Sequence, residues 1–335
     1  MITDTAVARS TPFDTLLQLS GGSVLPRCLH AVANLGIADA LGDRPQAAAA
    51  LAAATGAHPA SLDRVLRLLS TYGIFEQRDG LYSHTPTSRL LRTDHPQSMR
   101  PLVRMLGLPA FWAGIGELEH SLRTGLSATD KVLPGGVWGH LSSNPEESRI
   151  FNEAMAAKAF GHIAGVVGVY DFSGFGLIGD IGGGRGHLLQ AVLARAPHAR
   201  GVLFDLPYVI QEAAGVASDR ITLQAGDFFK GPLPACDAYL IMEVLHDWDD
   251  EHARTILRSV RSAAPTHAKL LIVEVIVPED PGPNWAKTLD IWMLVIGGKQ
   301  RTRKEYEELL PDAGFRFTRE IDTGAGTSII EAVPV

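Results

Sequence analysis

A histidine flanked by acids is the simplest proton-moving unit a chain can build, and Leu245-His246-Asp247-Trp248-Asp249-Asp250 supplies one. It follows the apolar run Ala238-Tyr239-Leu240-Ile241-Met242, which reads as a strand. His246 therefore falls at a strand's carboxyl end, where open α/β sheets carry their chemistry. A phenolic hydroxyl, with a pKa of about 10, attacks an electrophile poorly while protonated, and an imidazole of about 6.5 can take that proton as attack proceeds. Glu274 closes the next apolar run and can fix the imidazole tautomer and stabilise the imidazolium. Asp249 or Asp250 is expected to cap the helix that runs through Leu257. The remaining histidines show no metal-ligand spacing, so no metal is expected.

A second constellation binds rather than reacts. Asp180-Ile181-Gly182-Gly183-Gly184-Arg185-Gly186 closes one apolar run and opens a helical one, as a nucleotide-binding turn does. A dinucleotide fingerprint needs glycine at its first, third and sixth positions; Gly182 and Gly184 fit, but His187 takes the sixth. Asp180, just before the glycines, would repel a pyrophosphate and attract a cation. S-adenosylmethionine carries an ammonium and a sulfonium and no pyrophosphate, so it suits this turn. Asp205, 23 residues beyond Gly182 at the end of the next strand, is placed for ribose hydroxyls. Asp227, in Gly226-Asp227-Phe228-Phe229, can accept from an adenine amino group, and a phenyl ring can cover the base. Alone, each acid reads as a helix cap; in register after one glycine turn, they make a set.

These residues need a scaffold. From Leu177 onward, short apolar runs alternate with helical stretches, which predicts an α/β, Rossmann-like parallel sheet covered on both faces. The C-terminal pattern of helix, strand, turn and strand gives that sheet an antiparallel edge. Residues 25–105 read instead as short-looped helices. Two of them are split at residues 56–59, with Ser61 as the cap of the second, and a hairpin turns at Asp79-Gly80. That is the outline of a winged helix. Between residues 25 and 95, seven arginines and no lysines face six acids, too weak an excess for a DNA-reading surface. The module is expected to serve dimerisation or substrate enclosure. Its apolar helices exceed what a small module buries alone, which points to a two-fold partner. Residues 1–20 are expected to be a flexible arm, or one ordered only against a partner. The expected divisions are a dimerisation domain at 1–105, a connecting and substrate-lining region at 106–165, and a cofactor-binding domain at 166–335.

Composition narrows the setting. A net charge of −7 gives no footprint for nucleic acid or an anionic membrane. Cys28 and Cys236 cannot make a disulfide framework, no signal peptide is evident, and the alanine-rich stretch at 47–54 is too short to span a bilayer. A cytoplasmic protein without membrane or nucleic-acid partners is expected.

Read together, DIGGGRG, FDLP, GDFF, LHDWDD, the Glu of IVEV and GGKQRTRKEYEELLPDAGF resemble the plant-type O-methyltransferase family, which has many bacterial members in secondary metabolism, antibiotic biosynthesis included. The N-terminal stretch, from GGSVLPRCLHAVANLGIADAL to RVLRLLSTYGIF, is similar too, so the likeness covers nearly the whole chain. The resemblance implies S-adenosylmethionine-dependent methyl transfer to a hydroxyl of a small, aromatic or polyketide-type acceptor. It also implies a homodimer interleaved through the N-terminal helices and a winged-helix module that does not bind DNA. Cofactor contacts would come from Asp180, Gly182, Gly184, Asp205, Leu206, Gly226, Asp227, Phe228 and Trp248. Catalysis would rest on His246, Glu274 and Asp247, and Phe151, Met155, Trp292, Met293 and Gln300 would line the acceptor pocket.

Two positions depart from the family's pattern. Gln300 stands where many relatives carry a Glu that helps orient the histidine, and Met242 where relatives often carry a polar or basic residue. An amide can hydrogen-bond but cannot neutralise an imidazolium, so the charge would rest on Glu274. Two other functions share this scaffold. Methylation of nitrogen or carbon is disfavoured by His246, because a ring nitrogen often needs no base. A cofactor-binding regulator using its winged helix on DNA is disfavoured by the weak charge.

Overall fold

Two units account for residues 11–335, the residues that the computed structural model describes. One takes the described residues up to 112 together with 144–157; the other takes 113–143 and 158–335. Helix Pro145–Val169 contributes residues to both.

In the first unit, helices Val24–Asn34, Ile37–Leu41, Ala48–Thr55 and Pro59–Thr71 surround a small antiparallel sheet of β1 (Gln46–Ala47), β2 (Phe75–Arg78) and β3 (Leu81–His84), in the order β1-β3-β2. Gly56, at φ 72°, ends one helix, and Pro59 opens the next, where its missing N–H costs nothing. The cap of that second helix is His58, whose Nδ1 accepts the Ser61 N–H at 3.4 Å. Ser61 lies inside the first turn, which corrects its expected role as the cap. Leu62, Leu66 and Leu69 repeat at helical spacing and are buried with Phe75 and Tyr82. The Tyr82 hydroxyl donates to Asp63 at 2.8 Å and ties the hairpin to the helix.

Residues 12–20 of the expected arm are ordered. Pro12–Ser20 is a helix, opened by a capping box between Thr11 and Asp14. It buries nothing, and Phe13, Leu16, Leu17 and Leu19 are all exposed. The first ten residues of the expected arm lie outside the described residues.

The second unit holds a seven-stranded sheet of β4 (Leu177–Ile181), β5 (Arg200–Asp205), β6 (Ile221–Ala225), β7 (Ala238–Met242), β8 (Lys269–Glu274), β9 (Phe315–Asp322) and β10 (Ser328–Pro334), in the order β6-β5-β4-β7-β8-β10-β9. The first five are parallel, and β10 runs antiparallel between β8 and β9. Side-chain alternation explains why both faces are covered. In β8, Leu270 and Ile272 enter one buried cluster with helices Asp250–Ala263 and Arg303–Asp312, while Leu271 and Val273 enter another with helix His187–Arg195. Strand order reverses direction between β4 and β7, so the crevice at their carboxyl ends is open to ligands. Among the described residues, no helix is long and apolar enough to cross a membrane.

Candidate active site

β4 delivers Asp180 and Ile181, and the chain then takes the left-handed region at Gly182 (φ 69°), Gly184 (58°) and Gly186 (73°), a path that a Cβ would oppose. The Gly182 N–H donates to the Phe204 carbonyl at 2.8 Å, and the Gly184 N–H donates to Asp205 Oδ2 at 2.8 Å. Asp205 Oδ1 accepts from the Leu206 N–H at 2.7 Å, where Leu206 is the N-cap residue of helix Pro207–Glu212. Asp205 thus fastens the glycine turn to the end of β5, and burial raises its pKa.

Asp180 is only 1% exposed, and its Oδ2 has no hydrogen-bond partner among the described residues. Burial, with the charge of Asp205 added, lifts its pKa to about 7. A Cβ on Gly183 would lie 2.5 Å from that oxygen, so only glycine lets the turn pass so close. A buried carboxylate short of a partner, beside a turn rich in N–H groups, fits a positively charged nucleoside. The ammonium of S-adenosylmethionine is such a charge.

After β6, Asp227 Oδ1 accepts the Phe229 N–H at 2.9 Å, which holds its carboxyl below the usual range. Phe228, Phe229 and Trp248 meet edge to face, with ring centroids 4.8 to 6.3 Å apart. Gly226 has a packing duty: a Cβ there would lie 2.5 Å from the Phe204 ring.

The proton-handling side is built on β7 and β8. His246 sits in the short 3₁₀ turn Leu245–Asp247 beyond β7, and Asp249 caps the following helix by accepting the His252 N–H at 2.9 Å. Glu274, the last residue of β8, is wholly buried. Its Oε1 accepts the His246 backbone N–H at 3.3 Å, and its Oε2 lies 3.0 Å from Nδ1, at ion-pair distance but off hydrogen-bond alignment. Asp247 Oδ1 lies 3.5 Å from Nε2. Burial works against charge on His246, yet Glu274 and Asp247 outweigh it and raise its pKa to about 9. Burial also lifts Asp247 to about 6.

The segment after helix Trp285–Ile296 clamps this turn. The Lys299 N–H donates to the His246 carbonyl at 2.8 Å, and a Cβ on Gly298 would lie 2.1 Å from that carbonyl oxygen. Arg301, fully buried, donates to the carbonyls of Leu245 (2.8 Å) and Trp248 (2.9 Å) and to Asp250 (2.9 Å). Gln300 is buried beside it, and neither amide atom has a partner among the described residues. Trp292 and Met293 lie on helix Trp285–Ile296, with Met293 packed against Val275, Ala286 and Leu289. Phe151 and Met155 belong to the first unit, where the Phe151 ring stacks on Phe111 at 6.4 Å. The cofactor and catalytic candidates thus gather at the carboxyl ends of β4 to β8, all in the second unit.

Sequence reading missed Arg301, Glu243 and Lys158. Arg301 stood in GGKQR, but nothing in the string says that its guanidinium points inward. Glu243 was visible as a charge ending an apolar strand; its partners Lys158 and His162 are remote in sequence. Replacing Arg301 with Leu leaves two buried carbonyls unpaired. That variant should lose about 3 kcal/mol in urea unfolding, and a loss below about 1 kcal/mol would show that the clamp contributes little.

The comparisons agree with this geometry. A family model described as an O-methyltransferase domain matches residues 116–316, and one described as an O-methyltransferase dimerisation domain matches residues 17–94. The phenazine O-methyltransferase of Lysobacter antibioticus is 42% identical over 330 residues, 96% of either chain. The solved mitomycin 7-O-methyltransferase superposes with a TM-score of 0.89 at 34% identity, covering 96% of this chain and 98% of that one. An O-methyltransferase from neocarzinostatin biosynthesis, solved with S-adenosylmethionine and 2-hydroxy-5-methyl naphthoic acid, gives a TM-score of 0.80 at 31% identity over 98% of this chain and 100% of that one. The glycine turn, the buried histidine and acid, and the two family matches together place the chain in the O-methyltransferase family, as an S-adenosylmethionine-dependent enzyme with that family's dimerisation domain.

Proposed function

We propose that the enzyme methylates a hydroxyl on a small aromatic or polyketide-type acceptor, with His246 as the general base. The observation that carries this reading is the 3.0 Å approach of His246 Nδ1 to the buried carboxylate of Glu274. That approach leaves Nε2 as the nitrogen for the acceptor. S-adenosylmethionine, when bound, supplies the methyl group. Asp180 would hold its ammonium, Asp205 its ribose and Asp227 its adenine, with Gly182, Gly184, Leu206, Gly226, Phe228 and Trp248 shaping the surroundings.

Each proton has a place to go. His246 takes the hydroxyl proton at Nε2 as the oxygen attacks, and Glu274 fixes the ring and stabilises the imidazolium. Asp247 adds a second carboxylate near Nε2. Gln300, whose side-chain amide is buried and without a partner among the described residues, would turn to the acceptor, with Trp292 and Met293, and Phe151 and Met155, as apolar lining. Aromatic hydroxy compounds fit this reading, as the naphthoic acid in the neocarzinostatin relative's structure does there. Methylation of nitrogen is the weaker alternative, because it makes no use of a base so firmly held.

Assembly completes the proposal. Residues 1–105 would serve dimerisation, 106–165 substrate lining and 166–335 cofactor binding, in a cytoplasmic homodimer that engages no nucleic acid. The exposed Phe13, Leu16, Leu17 and Leu19 support a second copy as the cover of the N-terminal helix. Light scattering should give twice the 35.9 kDa chain mass, and a monomer at micromolar concentration would refute the dimer. For the chemistry, His246→Ala should reduce turnover by roughly 10² to 10⁴, with cofactor affinity nearly intact by calorimetry. Near-normal turnover at neutral pH in that variant would remove the base, and the hydroxyl acceptor with it.

A further inference from the structure

Glu243 is the part of the site that proton transfer leaves unused. It joins β7 to the His246 turn and sits at φ 53°, a left-handed conformation that residues with a side chain rarely adopt. Outliers of this kind cluster where function demands them. Its carboxylate is nearly buried and meets two groups from helix Pro145–Val169. Lys158 Nζ pairs with Oε1, and His162 Nδ1 lies 3.3 Å from Oε2. Lys158 and His162 are four residues apart, on one helix face. Burial opposes the charge, but Lys158 and His162 hold the Glu243 carboxyl well below the usual range.

Lys158 is itself mostly buried, with its side chain 16% exposed. An ammonium has three N–H donors, and among the described residues Lys158 has Glu243 as its one partner. Its remaining N–H donors have no partner among the described residues and are free for an incoming group. The ammonium is near enough for its charge to act on both His246 and Asp247. A purely structural ion pair needs neither the strained backbone nor the spare donors. A group that must present N–H bonds toward the reacting hydroxyl needs both.

We infer that Lys158 determines acceptor specificity by donating to a carboxylate borne next to the reactive hydroxyl, while Glu243 and His162 hold the ammonium in position. Charge-assisted bonds of this kind are the stronger ones. The inference rests on the O-methyltransferase reading given above, and its failure can be told apart from that of the reading.

The test is calorimetry on the full-length protein loaded with S-adenosylhomocysteine, with 3-hydroxy-2-naphthoate and 2-naphthol as probes. The two differ only by the carboxylate. The wild type should bind the naphthoate about tenfold more tightly or better. In Lys158→Met the affinity ratio should fall to about one, and Lys158→Arg should restore it. Because Lys158→Met leaves the buried Glu243 without its ammonium, Lys158→Met/Glu243→Gln is measured beside it, with the same collapse expected. A wild-type ratio near one, undetectable binding of the naphthoate, or a ratio that survives in both variants overturns the inference. Methylation of either probe by the wild type is read separately, and it upholds the O-methyltransferase reading whichever way the ratio falls.

Discussion

The side chain of Glu274 lies where water does not reach, and a carboxylate there must be met by protein groups or lose its charge. It is met by one residue twice, through the backbone N–H and the ring of His246. The conformation of the turn and the orientation of the imidazole therefore have a single solution. The rest of the local structure maintains it: β8 sets the height of Glu274, Gly298 lets the 297–301 segment run against the His246 carbonyl, and Arg301 satisfies the carbonyls on either side.

The two ends of the crevice are strained electrostatically in opposite senses. At the glycine turn, burial and the neighbouring charge of Asp205 disfavour charge on Asp180 and raise its pKa to about 7. At the other end, two carboxylates outweigh burial and raise the pKa of His246 to about 9. A cation entering between them relieves both, since positive charge lowers the pKa of acid and base alike. Cofactor binding would then ionise Asp180 and free His246 to accept a proton. In the proposed mechanism, a cationic methyl donor would prepare the base by the same charge that makes it reactive.

Much of this was legible in the string. Alternating apolar runs gave the parallel sheet, because a two-sided core needs side chains of one kind on both faces of β7 and β8. DIGGGRG and LHDWDD marked strand ends, because glycine and acid types there answer to local backbone demands. What escaped depends on distance. The Glu243 pair spans 85 residues to Lys158, and Arg301 reaches back across more than 50 to Leu245 and Trp248. Ser61 was misread as a cap because histidine seldom fills that place. Gly226, an expected cofactor contact, also lies where a Cβ would meet the Phe204 ring.

The central claim is that Glu274 holds His246 as a base whose affinity for a proton is set by the charges around it. Titration of the His246 imidazole by NMR tests it most directly, in the wild type and in Glu274→Gln, each with and without S-adenosylmethionine. The account expects a pKa near 9 in the free wild type, a lower value in Glu274→Gln, and a further fall when the cationic cofactor binds. A free-protein value at or below the ordinary 6.5, unmoved by either change, would contradict it.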